Sequence, residues 1–201
     1  MPGRVADKSA RVNWFATLSH RENRAQIKRL IYHPQNLPGK HLDFVLLDTS
    51  SSTLSNNALT TTLGIVKGLC SSAYTKRNHF AVTHFGNNNV LSLINPRRAP
   101  KHIEKDLVKI KAGGGTPLRK GLLTACKTLS KLQKEYSSQT LYVFTDGRSR
   151  ESVDDVTLPC KTVIIDTEKN TIALGKCKQL AARLNATYIH MNEITHDWRF
   201  R

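Results

Sequence analysis

The sequence is short of several things at once. Among 201 residues there are four cysteines, two tryptophans, and only 15 acidic residues against 31 lysines and arginines. The cysteines, Cys70, Cys126, Cys160 and Cys177, form no C-x-x-C or C-x-x-H pair, which argues against zinc. Cys70, Cys126 and Cys177 sit among apolar residues in segments of helical pattern and read as reduced thiols packed like small hydrophobes. No stretch approaches the ~18 consecutive apolar residues of a membrane span. The N-terminal MPGRVADKSARVNWF is basic but has no apolar core, so no secretory signal is read there and the cytoplasm is the expected compartment. Aromatic residues are 6% of the chain and form no RNP-like cluster, which disfavours a nucleic-acid stacking platform.

What is present is basic and globular. Apolar residues make up 39% of the chain, enough for one domain with a real core, and the formal net charge is +16. Such a surface attracts acidic proteins, nucleic acid or anionic membranes. The excess is spread rather than gathered in one run. Residues 1–40 hold eight Lys/Arg and two Asp/Glu, so they carry +6 of it. They read as a basic N-terminal extension with short strands, VNWFATL and AQIKRLIYH, closed by the loop PQNLPGK; residues 41–201 read as the main domain.

From residue 42 a rhythm sets in. LDFVLLD (42–48) is a continuous apolar run, as a strand covered on both faces would be, and residues 54–74 place Leu59, Leu63, Val66 and Cys70 at helical spacing. HFAVTHF (79–85) and NVLSLI (89–94) flank a GNNN turn, which predicts an antiparallel edge hairpin. RAPKHIEKDLVKI (98–110) predicts a short helix, and Pro117 opens a longer one through Tyr136. QTLYVFTD (139–146), KTVIIDTE (161–168) and ATYIHM (186–191) predict strands, with a helix over 173–185 before the last. The alternation predicts an α/β, doubly wound, mostly parallel Rossmann-like sheet with helices on both faces and one antiparallel edge strand. Ligands bind such sheets beyond the carboxyl ends of the strands, near a topological switch point, and Asp48 and Asp146 both close an apolar run.

Around them a cation site can be assembled. In DTSSS, Asp48 supplies a carboxylate, and Ser50 and Ser52 supply hydroxyls at alternate positions. In AGGGTPL (112–118), three glycines allow an unusual backbone just before Thr116. In FTDGR, Asp146 stands before a glycine turn. Each piece alone reads as a turn after a strand or a loop before a helix. Together they give two carboxylates and three hydroxyls, an all-oxygen set suited to Mg²⁺ or Mn²⁺ and less so to Ca²⁺. Magnesium takes six oxygens near ~2.1 Å, so at least one position is left for an outside oxygen, such as a partner's Asp or Glu.

The set Asp48, Ser50, Ser52, Thr116 and Asp146 resembles the metal-ion-dependent adhesion site of von Willebrand factor A domains, with its pattern D-x-S-x-S, a distant Thr and a distant Asp. GGGTPL, TDGR, IIDTE and LAARLNATYIHM, with NWFATL ahead of the site, make roughly residues 12–196 resemble the C-terminal domain of the magnesium chelatase D subunit. That family commonly has DASGSM where this chain has DTSSST, which loses a glycine but no ligand. The D subunit's AAA+ domain and acidic, proline-rich linker have no counterpart in these 201 residues, and no G-x-x-x-x-G-K-S/T phosphate loop occurs, so a stand-alone counterpart of the last domain is expected.

The resemblance implies the A-domain fold and a non-catalytic adaptor. Its magnesium site would grip an acidic residue of a AAA+ ATPase, or of a large chelatase subunit, in a complex that inserts magnesium or cobalt into a tetrapyrrole. An adaptor for a AAA+ chaperone acting on another client fits the same features. A metallohydrolase would use the ion to activate water, but no His or Lys base is tied to the rim by sequence. Nucleic-acid binding through the basic surface would show a steep salt dependence.

Overall fold

A strand covered on both faces needs no polar alternation, and Phe44–Leu47 has none. In the computed structural model this run forms β1 (His41–Asp48), buried from Leu42 onward. The structure describes residues 12, 14–20, 26–31, 39–50, 58–110, 113–149, 151–168 and 175–194. The chain divides into two units, Met1–Pro38 and Gly39–Arg201.

In the larger unit, the elements after β1 are α2 (Ala58–Thr75), β2 (His79–Gly86), β3 (Asn89–Arg98), α3 (Glu104–Leu107), α4 (Leu118–Leu132), β4 (Ser138–Thr145), β5 (Lys161–Asp166), α5 (Lys176–Arg183) and β6 (Thr187–His190). They build one six-stranded sheet in the order β3-β2-β1-β4-β5-β6. Only the β2–β3 pairing is antiparallel. This is the doubly wound sheet with an antiparallel edge that the alternation predicts.

The pleat sends successive side chains to opposite faces. Leu42, Phe44 and Leu46 of β1 join Leu118, Leu122, Ala125 and Leu129 of α4 and Cys177 and Leu180 of α5 in one core. Val45 and Leu47 join Val66, Leu69 and Cys70 of α2 and Leu107 of α3 in the other. The helices therefore cover both faces, and the predicted thiol packing holds for Cys70 and Cys177, both buried.

Three details depart from expectation. β3 runs on through Pro96 to Arg98, so the helix predicted over 98–110 shrinks to Glu104–Leu107. Proline is tolerated because β3 is the sheet edge, and its pairing with β2 slips in register between Phe80 and Val82 and again before Thr83. Pro117 stands just ahead of α4 rather than inside its first turn, with φ −77°. Residues 54–57 of the helix predicted over 54–74 lie outside the described residues.

In the smaller unit, Trp14–Ser19 is a short helix, α1, where VNWFATL suggests a strand. A strand needs a partner for its backbone groups, whereas a helical turn satisfies many of its own. The Thr17 hydroxyl donates to Ile31 O at 3.2 Å and accepts the Ile31 N–H at 2.9 Å. Residues 27–31 carry no strand. No helix among the described residues is long and apolar enough to cross a membrane.

Candidate metal-binding rim

β1 and β4 lie side by side with Leu47 opposite Phe144, so their carboxyl ends emerge together. From β1 the chain moves to β2 on one side and later returns to β4 on the other. That reversal is the switch point at which doubly wound sheets form ligand crevices. Asp48 ends β1, and Asp146 follows β4 directly.

Asp48 is only 2% exposed. Its Oδ1 accepts the Ser50 N–H at 2.9 Å, and its Oδ2 accepts the Thr145 hydroxyl at 2.8 Å. Burial pushes its carboxyl up to about 6, and the nearby Asp146 adds to the rise, against the hydrogen bonds from Ser50 and Thr145. None of the ion pairs among the described residues reaches Asp48. A desolvated carboxyl in that position is stabilised by a proton or by a cation.

Asp146 is likewise buried, and its Oδ1 accepts the Arg148 N–H at 3.0 Å. Gly147 between them has φ +69°, and a Cβ there would meet Cys177 N and Sγ at 3.0 Å, so the turn requires glycine. The Arg148 guanidinium lies between two carboxylates. Its Nε is 3.7 Å from Asp146 Oδ2, and its Nη2 donates to Glu168 Oε1 at 3.1 Å.

The glycine loop is pinned to both neighbours. Gly113 N donates to Thr49 O at 2.9 Å, which joins it to the loop after β1. The Ser149 hydroxyl donates to Thr116 O at 3.4 Å, which joins it to the loop after β4. Gly114 has φ +71°, and a Cβ there would fall 2.1 Å from Asn87 Oδ1, so the loop sits flush on the β2–β3 turn. The loops bearing Asp48 and Ser50, Thr116, and Asp146 are thus tied into one rim; Ser52 lies outside the described residues. Thr145, Arg148 and Glu168 were not singled out from the sequence, although the Thr that precedes Asp146 at the end of an apolar run was a visible signal.

The family model for the von Willebrand factor type A domain matches residues 44–148, just over half of the chain. The chain belongs to this family.

Relatives of the A domain agree. An uncharacterised protein of Mycobacterium tuberculosis is 25% identical over 79% of this chain and 27% of its own length. The magnesium-chelatase 67 kDa subunit of Chlorobaculum parvum is 22% identical over 74% of this chain and 28% of its own length. The magnesium-chelatase 60 kDa subunit of Rhodobacter capsulatus is 30% identical over 45% of this chain and 16% of its own length. The chain therefore spans between 16% and 28% of the length of these curated relatives. Among solved structures, a von Willebrand factor type A protein from Catenulispora acidiphila superposes with a TM-score of 0.55 at 15% identity, over 80% of this chain and 40% of that one. The VWA domain of SpRpn10 gives 0.52 at 11% identity, over 79% of this chain and 92% of that one. These two likenesses show the fold.

The rim of this A domain fits a hard divalent cation by its own chemistry. Its donors are carboxylate and hydroxyl oxygens, and its buried Asp48 lacks a cationic neighbour among the described ion pairs.

Proposed function

We propose that this A domain is a non-catalytic adaptor. Asp48, Ser50, Ser52, Thr116 and Asp146 hold Mg²⁺, or Mn²⁺ in its place, and the site grips an acidic residue of a partner protein. The observation that carries the reading is the buried pair of strand-end carboxylates, Asp48 and Asp146, at the switch point of the sheet.

Each residue has a part. Asp48 and Asp146 supply two negative charges, which about balance one divalent ion and leave it electrophilic toward a third carboxylate. The hydroxyls are neutral donors. Thr145 fixes one Asp48 oxygen by its 2.8 Å bond, and the Ser50 N–H fixes the other, so the carboxylate is oriented before any ligand arrives. When bound, the ion supplies an open coordination position for an outside oxygen.

The partner is a AAA+ ATPase, with a large chelatase subunit as a further one, in a complex that inserts magnesium or cobalt into a tetrapyrrole. The magnesium-chelatase subunits among the relatives support this assignment. The basic surface, +16 in all, supplies long-range attraction to an acidic partner.

The test has two stages. Loss of the free Mn²⁺ electron paramagnetic resonance signal on titration should report one site in the full chain, absent in Asp48→Asn and in Asp146→Asn. Binding to the AAA+ subunit of a magnesium chelatase should then require Mg²⁺. Binding that persists in excess EDTA, or Mn²⁺ uptake unchanged in Asp48→Asn, overturns the reading.

A further inference from the structure

Helix α4 leaves the rim directly after Thr116 and Pro117, and its outer face carries only positive charge. Over Leu118–Leu132 there is no acidic residue. Lys120, Lys127 and Lys131 are all exposed. Lys120 and Lys127 are two turns apart, about 10 Å along the axis, with Lys131 one turn further. Lys120 Nζ donates to Asn88 O at 3.1 Å, and no ion pair among the described residues engages Lys127 or Lys131.

A groove of about 320 Å³ runs along this face, lined by Arg119, Lys120, Leu123, Thr124, Lys127 and Glu151. Its lining acid, Glu151, and the nearby Asp155 are already engaged. Glu151 Oε2 accepts the Arg119 N–H at 2.9 Å, and the Arg119 guanidinium pairs with Asp155. The groove also joins the rim: Glu151 N donates to the Ser149 hydroxyl at 3.1 Å, which in turn donates to Thr116 O. Leu123, 41% exposed, gives it an apolar spot between the lysines.

We infer that this groove, with the next turn of α4 beyond it, docks an acidic segment of the partner protein, with carboxylates on Lys127 in the groove and on Lys131 just past it and an apolar side chain on Leu123, running toward the rim. The docking surface rests on the adaptor reading only for what lies at its rim end. A protein segment suits it better than nucleic acid. Among the described residues no aromatic side chain lines the groove for base stacking, and Leu123 has no counterpart on a phosphate backbone.

The probe is a fluorescent 14-residue synthetic peptide, glutamate-rich with one central leucine, titrated by anisotropy at low salt with Mg²⁺ present. The test variant is Lys127→Glu with Lys131→Glu. The control, Lys101→Glu with Lys105→Glu, makes the same change in net charge at exposed positions just before and within α3. Losing two ion pairs and gaining repulsion should weaken binding about tenfold in the test variant, and far less in the control. Both variants should keep wild-type Mn²⁺ uptake. Equal weakening in both, or none in the test variant, overturns the inference while leaving the metal site standing. Equally tight, equally Lys127-dependent binding of a single-stranded oligonucleotide of matched charge overturns the choice of a protein segment. Loss of Mn²⁺ uptake in Asp48→Asn with peptide binding only partly reduced separates the groove from the metal site.

Discussion

Thr145 Oγ1 joins two loops of the rim: it donates to Asp48 Oδ2 at 2.8 Å and accepts the Gly147 N–H at 3.1 Å. Thr145 and Asp48 are both buried, so the bond between them is shielded from water, and Gly147 is half-buried. Thr145→Val keeps the shape and removes both bonds, leaving a buried carboxylate oxygen and a half-buried N–H short of a partner. The expected loss is about 1–3 kcal/mol of unfolding free energy, measured in urea, with weaker Mn²⁺ uptake. Thr145→Ser keeps the hydroxyl and should retain Mn²⁺ uptake close to wild type.

Asp48 gives a pH signature in metal-free protein. Its folded value of about 6 lies above the ordinary 3.8, so the unfolded chain gives up this proton first. The contribution to stability is therefore greatest below about pH 4 and is lost as pH rises through about 6, a difference of up to about 3 kcal/mol. Asp48→Asn carries no charge at any pH. In EDTA its melting temperature should exceed that of wild type at pH 7.5, with the gap closing toward pH 4. Adding Mg²⁺ at pH 7.5 should raise the wild type and not the variant. A gap that stays constant across this range would show that Asp48 ionises like a surface carboxylate.

The sheet was legible because four of its six strands are buried enough to write themselves as apolar runs, and the turn between Gly86 and Asn89 announces the hairpin. β3 beyond Ile94 was not, because Pro96 reads as a strand breaker unless one knows that the strand is an edge with slipped register. Trp14–Ser19 was misread because six residues carry too little periodicity to separate helix from strand. At the rim, Asp48 and Asp146 stood out as carboxylates closing apolar runs. The Thr145 bond to Asp48 was hidden because it joins residues 97 apart in sequence, and only the β1–β4 pairing brings them together. The ties among Arg148, Asp146 and Glu168 depend in the same way on β4 and β5 being neighbours.

Two glycines should respond in opposite directions to alanine. Gly114 has φ +71° and sits against the Asn87 backbone and amide, so Gly114→Ala must shift the loop that carries Thr116. A loss of about 1–3 kcal/mol is expected, with weaker Mn²⁺ binding. Gly64 is an exposed interior residue of α2, and a Cβ there meets nothing within 4 Å. Gly64→Ala should gain about 0.5–1 kcal/mol from helix propensity alone, with Mn²⁺ binding unchanged. Chemical denaturation of both variants beside wild type checks the pair.

Arg148 places a fixed positive charge beside a proposed ligand, so removing it should move stability and metal affinity in opposite directions. Its guanidinium bonds Glu168 at 3.1 Å and lies 3.7 Å from Asp146 Oδ2, and both carboxylates are buried. Arg148→Gln removes the arginine's bond to the buried Glu168, for a loss of about 1–3 kcal/mol after allowing for partial solvent access to the arginine. The same change removes a cation that repels a divalent ion from Asp146, so Mn²⁺ should bind several-fold more tightly at low ionic strength. Arg148→Lys keeps the charge but not the planar fork, and should lose part of the stability with little gain in affinity. If affinity falls together with stability in Arg148→Gln, the arginine acts mainly as a prop for the Asp146 loop, and the electrostatic account is wrong.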